Sequence, residues 1–239
     1  MEKRTIITGA SGEIGAAIAM KLASEGHQLF LHYNQNHAAI EQLCQQLSDD
    51  CIIGGVQADL STAAGLSYFL DYIPEEITHL VMTSGAAYYG LFQDMTDDEM
   101  EMMLQLHVTS PWKITRALIP EMIRRKFGKI VLITSIWGQH GASCEVAYSS
   151  VKGAQNTFIK ALAKELGPSQ IYVNGVSPGF IDTRMNNHLT DMEKQQLVED
   201  IPLQRAGLPE DVAGAVSFLC SDQSSYIQGE VIGVNGAFS

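Results

Sequence analysis

The sequence is short of cationic side chains: 15 Lys and Arg stand against 27 Asp and Glu in 239 residues, a formal net charge of −12. That balance leaves no broad basic face for phosphate backbones. It argues against nucleic-acid binding and against adsorption to an anionic membrane surface. No apolar run reaches the ~18 residues a membrane-spanning helix needs. The start, Met1-Glu2-Lys3-Arg4, leads straight into an apolar strand pattern and does not read as a signal peptide. The four cysteines, Cys44, Cys51, Cys144 and Cys220, include no C-x-x-C pair, and the seven histidines show no H-x-x-x-H spacing. Neither a disulfide framework nor a metal site is expected. Reduced thiols point to a reducing, cytoplasmic compartment.

What is present is a plentiful apolar complement, 46% of residues, enough for a sizeable core and incompatible with a disordered chain. Short apolar runs alternate with amphipathic segments. Strands are predicted at 5–8, 28–33, 51–57, 79–84, 129–134, 171–176 and 231–234. Helices are predicted at 13–24, 38–47, 66–73, 97–125, 147–166 and 209–219, with a kink or break at Pro111 and Pro120. This alternation specifies a doubly wound, mostly parallel seven-stranded α/β sheet with helices on both faces, in one Rossmann-type domain spanning 1–239. The polar stretch 182–202 is the candidate mobile lid over a site.

The first strand ends in Thr8-Gly9-Ala10-Ser11-Gly12-Glu13-Ile14-Gly15, and a helix follows at once. Glycines there let backbone approach a pyrophosphate, and the helix start offers free N–H groups and partial positive charge. A tight turn without a ligand is the alternative. Asp59, in Ala58-Asp59-Leu60, either accepts from an adenine amino group or caps the next helix. Strand 2 ends in Tyr33-Asn34-Gln35-Asn36 and lacks the carboxylate that an NAD-selective site uses for the ribose hydroxyls. NADP(H) is therefore favoured and NAD(H) is possible, since no Lys or Arg stands there for a 2′-phosphate.

Ser135 closes a central strand, where open α/β sheets bind ligands. Tyr148 and Lys152, at i and i+4, share a helix face. A nearby ammonium and an oxidised nicotinamide would favour the phenolate, bringing a phenol of pKa about 10 towards use as a general acid or base. Ser135 would donate to the carbonyl oxygen as charge builds there.

With these motifs the chain resembles the short-chain dehydrogenase/reductase family over essentially its whole length. Asn174-Gly175-Val176-Ser177-Pro178-Gly179-Phe180-Ile181-Asp182-Thr183 is similar to the family's Pro-Gly segment, and Tyr226–Val231 with Asn235-Gly236 to its tail. Within the family the resemblance is closest to 3-oxoacyl-[acyl-carrier-protein] reductases, which use NADPH. It implies cofactor contacts at Gly9, Ser11, Gly12, Ile14, Gly15, Asn34, Asp59, Leu60, Gly85, Tyr148, Lys152, Pro178, Gly179, Ile181 and Thr183. The expected catalytic set is Ser135, Tyr148 and Lys152 with His107, and substrate walls are expected from Tyr88, Tyr89, Phe92, Trp137, His140, Cys144, Phe180, Met185 and Leu189. It also implies a homotetramer or homodimer built on the two long helices.

Three positions depart from the family pattern. Glu13 replaces a glycine of the turn and is expected to point outward. Met82-Thr83-Ser84 stands where Asn-Asn-Ala is usual. His107 occupies the place of the family's relay Asn, and is either a proton carrier or a buried structural histidine. Arg124-Arg125-Lys126 with Lys129 is read as a basic patch, either a meeting point for an acyl carrier protein or a solvated helix end. The leading expectation is an NADP(H)-dependent reductase of 3-oxoacyl thioesters in fatty-acid metabolism. The alternatives are a reductase of another small ketone, sugar or steroid-like alcohol, and a non-catalytic dinucleotide-binding regulatory protein.

Overall fold

β-Branched and leucine-rich runs form seven strands: β1 (Lys3–Thr8), β2 (His27–Tyr33), β3 (Ile52–Gln57), β4 (His79–Met82), β5 (Gly128–Ile133), β6 (Ile171–Pro178) and β7 (Val231–Val234). In the computed structural model, which describes residues 2–186 and 189–238, they make one sheet in the order β3-β2-β1-β4-β5-β6-β7. Every pairing is parallel. The sheet is thus wholly parallel rather than mostly so, and its crossovers require helices on both faces.

Alternate side chains feed two cores. Ile6, Phe30, Leu80, Ile130 and Val173 join the cluster on one face, and Ile7, Leu29, Val81, Val131 and Val176 the cluster on the other. One face is covered by α3 (Ala63–Asp71), α5 (Ser110–Arg125) and α7 (Val146–Leu166). The other is covered by α1 (Glu13–Ser24), α2 (His37–Gln46) and α9 (Pro209–Cys220). The remaining helices among the described residues are α4 (Asp97–Leu104), the single turn α6 (Trp137–His140) and α8 (Asp191–Asp200). Among the described residues, no helix is long and apolar enough to cross a membrane, and all four cysteines are free.

The predicted helix 97–125 is in fact α4 and α5 joined by a π-turn at Gln105–Thr109, where Ser110 N–H reaches back to Gln105 O. The widened turn accommodates Pro111, which has no N–H to give. Pro120 stays inside α5 instead of breaking it. Arg116, whose carbonyl loses its donor, is exposed, so water can serve that oxygen. The polar stretch 182–202 is not structureless: it carries a 3-10 turn at Arg184–Asn186 and then α8, started by a reciprocal cap between Thr190 and Glu193. Two residues of that expected lid, Asn187 and His188, lie outside the described residues.

The basic patch is a helix end at Arg124–Lys126, as one of its two readings had it, but Lys129 does not belong to it. Arg124 and Arg125 pair with Glu121, Arg125 pairs with Glu76 as well, and Lys129 is buried under α9 with its ammonium on Leu219 O, Ser221 O and Ser224 Oγ.

Candidate active site

β1 and β4 are neighbours although they are not consecutive, and the chain leaves the sheet in opposite directions on either side of them. A crevice must open above this switch point. It is a cleft of about 450 Å³ lined by Gly9, Ser11–Gly15, His32, Asn34–Asn36, Asp59–Ser61, Thr83–Ala86 and Thr183–Met185. A smaller space of about 150 Å³ adjoins it through the shared residues Ile14, Thr83, Gly85, Thr183 and Met185. Ser135, Trp137, Tyr148, Lys152, Pro178, Gly179 and Ile181 line the smaller space.

The floor of the larger cleft is a backbone cradle. Gly9 adopts φ +74°, and a Cβ at Gly15 would fall 2.3 Å from Gly9 O, so only glycine lets α1 start this close to the turn. His32 fastens the cradle from below. Its Nδ1 accepts from Gly9 N–H at 3.1 Å, which places the proton on Nε2, donating to Ala58 O at 3.0 Å. Burial holds its pKa down at about 4, so the imidazole is neutral. Sequence reasoning missed His32, and nothing in the local pattern marks it.

Asp59 lines this cleft, and its Oδ1 accepts from Ser61 N–H at 2.9 Å and Ser61 Oγ at 2.6 Å. The cap of α3 is Thr62, not Asp59. Leu60 also lines the cleft, and its carbonyl accepts from Ser110 Oγ at 2.6 Å. Asn34, Gln35 and Asn36 are the neutral residues at the far end. Asn36 caps α2 through Ala39 N–H at 3.1 Å. The cradle and the two adjoining spaces fit a dinucleotide.

Ser135, on the segment that follows β5, is held by Trp137 N–H donating to its Oγ at 3.2 Å. Tyr148 and Lys152 come from the start of α7. The Lys152 Nζ sits 5.5 Å from the Tyr148 ring centroid and donates to Ile133 O at 2.9 Å. Both side chains are almost wholly enclosed. Burial pushes the Tyr148 phenol up to about 12, against a lowering from the Ser135 hydroxyl, and pushes the Lys152 ammonium down to about 7. In the free protein desolvation governs the phenol, and the Glu145 charge raises it further.

Of the two readings of His107, its burial matches the structural one. It is fully buried behind Tyr148, edge-on to that ring at 5.7 Å between centroids, with Nε2 2.8 Å from Ala86 O and Nδ1 without a partner. Burial holds it down at about 3, and it lines neither cleft. Of the expected substrate walls, Trp137 and Met185 line the smaller space, whereas His140, Cys144 and Phe180 do not. His140 is exposed at the end of α6, the Cys144 carbonyl accepts from Gly90 N–H, and Phe180 O accepts from Gly207 N–H. Tyr89 lines the space as expected, Tyr88, Phe92 and Leu189 do not, and Ala87, Glu145 and Asn186 join it.

Glu13 does not point away from the cleft. Its carboxylate takes Arg184 Nε at 2.9 Å and the Arg184 backbone N–H at 3.2 and 3.3 Å, while Arg184 Nη2 donates to Ser11 O at 3.3 Å. Arg184 was not foreseen. The only sequence signal was the odd carboxylate at Glu13, which needs a counter-charge beside a phosphate turn. Among the described residues no group of His, Cys, Asp and Glu could hold a metal ion.

Residues 9–239 match the family model described as enoyl-(acyl carrier protein) reductase. The chain belongs to the short-chain dehydrogenase/reductase family. It is 46% identical to the uncharacterized oxidoreductase YmfI of Bacillus subtilis over 240 residues, covering 100% of this chain and 99% of that one. It is 36% identical to the 3-oxoacyl-[acyl-carrier-protein] reductase FabG of Aquifex aeolicus, covering 98% of this chain and 96% of that one. A crystal structure of YwfH, described as an NADPH-dependent reductase involved in bacilysin biosynthesis, superposes with TM-score 0.89 at 22% identity, covering 100% of this chain and 99% of that one. That last likeness is one of fold. The chain is an oxidoreductase of this family.

Proposed function

We propose that the protein is an NADP(H)-dependent carbonyl reductase whose substrate is a 3-oxoacyl thioester, carried on an acyl carrier protein or a related thiol. The observation that carries the reading is the convergence of Ser135, Tyr148 and Lys152 on a small space that opens into the glycine-cradled cleft. Gly9, Gly12 and Gly15 would hold a dinucleotide against the first turn of α1, where it would supply hydride to the carbonyl carbon. Tyr148 Oη gives its proton to the carbonyl oxygen, so the C=O π-bond becomes C–H and O–H and the phenol is left as phenolate. Ser135 Oγ donates to the same oxygen as its charge grows. Lys152, positively charged once polar groups of the ligand replace the apolar surroundings, holds the phenolate and the ribose hydroxyls.

NADP(H) is preferred in this reading because Asn34, Gln35 and Asn36 present no carboxylate to a 2′-phosphate. The thioester choice is supported by the FabG relative and by the apolar Trp137, Ile181 and Met185 walls. Assembly into a homodimer or homotetramer goes with it; Trp112, 49% exposed and stacked near Phe158, marks a face on α5 and α7 for a second copy. The test is loss of absorbance at 340 nm with acetoacetyl thioesters and with plain ketones, using NADPH and NADH. Turnover of thioesters with NADPH preferred supports the proposal. Turnover of ketones alone moves the assignment to another carbonyl substrate.

A further inference from the structure

The larger cleft is electrostatically odd for a site that takes a diphosphate. Its charged lining residues are two carboxylates, Glu13 and Asp59, and one cation, Arg184. The glycine turn contributes no Lys or Arg of its own. Asp59 is occupied by Ser61. Glu13 stands on the first turn of α1, beside the cradle. Unpaired, its charge would oppose any phosphate placed there.

Arg184 belongs to the segment after β6, 171 residues away along the chain, and reaches back over the turn. Glu13 holds both its backbone N–H and its Nε, and Nη2 touches Ser11 O. A guanidinium has five donors in a fixed fork. The Nε edge is spent on Glu13, and the Nη1 edge keeps donors with no partner among the described residues. The fork is held in place by one phosphate-turn residue and lies over another.

We propose that Arg184 is a phosphate-binding residue of this chain: it offers its free edge to the pyrophosphate of the dinucleotide, and Glu13 is the positioning residue that aims it. The cation that the glycine turn lacks is thus supplied from the opposite wall, and the unusual carboxylate at Glu13 becomes part of the site rather than an obstacle to it. This rests on the dinucleotide reading but not on the identity of the carbonyl substrate.

The test is binding rather than turnover. The full chain is titrated with NADPH and with NADH at low and high salt, following tryptophan fluorescence, to which Trp137 in the adjoining space contributes. Arg184→Gln should weaken both cofactors by about tenfold, the order expected for one charge-assisted contact. The loss should be similar for the two, because they share the pyrophosphate, and the salt dependence should flatten. Arg184→Lys should recover part of the affinity by keeping charge without the fork. Glu13→Gln should weaken both by less than Arg184→Gln does.

Unchanged affinity and salt dependence in Arg184→Gln would overturn the proposal. So would a loss confined to NADPH, which would mean Arg184 reads the 2′-phosphate instead. Tighter binding by Glu13→Gln would also overturn it, showing that Glu13 keeps Arg184 away from the ligand. If the unaltered chain bound neither cofactor, the dinucleotide reading would fall together with this proposal. A chain that binds both cofactors yet reduces no thioester sinks only the substrate assignment.

Discussion

At the amino end of the sheet, the buried histidines and the buried Lys129 have partners. His27 Nδ1 meets Thr5 Oγ1 at 2.7 Å, His79 Nδ1 meets Thr78 Oγ1 at 2.9 Å, and His79 Nε2 meets Cys220 O at 3.2 Å. Lys129 spreads its ammonium over two carbonyls and the Ser224 hydroxyl and lies 5.0 Å from the Tyr172 ring. At the carboxyl end the account is left open. Lys152 has one carbonyl, and His107 Nδ1, Ser84 Oγ, Gln155 Oε1 and Ser177 Oγ are buried with no partner. Unsatisfied buried polar atoms cost about 1–3 kcal/mol each. Several of them gather at the end where a ligand would enter, whereas at the other end Arg4 Nε is buried without a partner among the described residues. The lesson is that burial and a shifted pKa do not mark a functional group by themselves, because His79 and His107 are equally depressed, to about 3. Incomplete hydrogen bonding beside a cleft does.

The sharpest way to break this contrast is Tyr148→Phe. If the phenol is the acid, kcat should fall by about 10²–10⁴-fold, the usual contribution of a positioned proton donor. Dinucleotide affinity and the urea midpoint should hardly move, because the hydroxyl contributes little to the fold. Single-turnover rates beside equilibrium titration check it. Retained rapid reduction would mean the proton comes from elsewhere.

Acid exposes the other end. His27 and His79 are held at about 4 and about 3, chiefly by burial, and His32 and His107 at about 4 and about 3. Their folded pKa values lie below the unfolded value near 6.5, so below that pH the unfolded chain takes up protons that the native state refuses. Stability is therefore full above about pH 6.5 and falls as the pH drops towards 4. The slope is up to about 1.4 kcal/mol per pH unit for each such histidine. Urea midpoints between pH 7 and about pH 4.5 should show it, and His79→Gln should flatten the profile. A profile that is flat in the unaltered protein would refute the assignment.

Much of this was legible beforehand. α1 at Glu13–Ser24 and β7 at Val231–Val234 have the bounds their patterns predict, because a glycine turn and a short apolar run carry their own punctuation. The glycine cradle and the grouping of Ser135, Tyr148 and Lys152 were readable because spacing alone puts them at strand ends and on one helix face. α8 was missed because it is polar all round, with no buried residue, although the cap Thr190-Asp191-Met192-Glu193 was in plain view. The Glu13–Arg184 pair was invisible because its partners are distant in sequence. Lys129 was taken for surface because its neighbours Arg124 and Arg125 are near the surface. The direction of the Tyr148 shift depends on desolvation, which no motif encodes.

The smallest effect separates the two ends most cleanly, through one hydroxyl from each. Thr5→Val keeps the shape of a fully buried side chain but strips the partner from His27 Nδ1. It should cost about 1–2 kcal/mol of stability, the penalty of one orphaned buried group, with kcat per folded molecule unchanged. Ser135→Ala should do the reverse. Its Oγ accepts a 3.2 Å bond from Trp137 N–H and interacts with the Tyr148 hydroxyl at the edge of the cleft, so little stability is at stake, while the charge growing on a carbonyl oxygen loses a donor. Denaturation midpoints and initial rates measured on both variants decide the matter. If Thr5→Val slowed turnover while Ser135→Ala lowered the midpoint, satisfied and unsatisfied polar groups would not divide the structural end of the sheet from the chemical one.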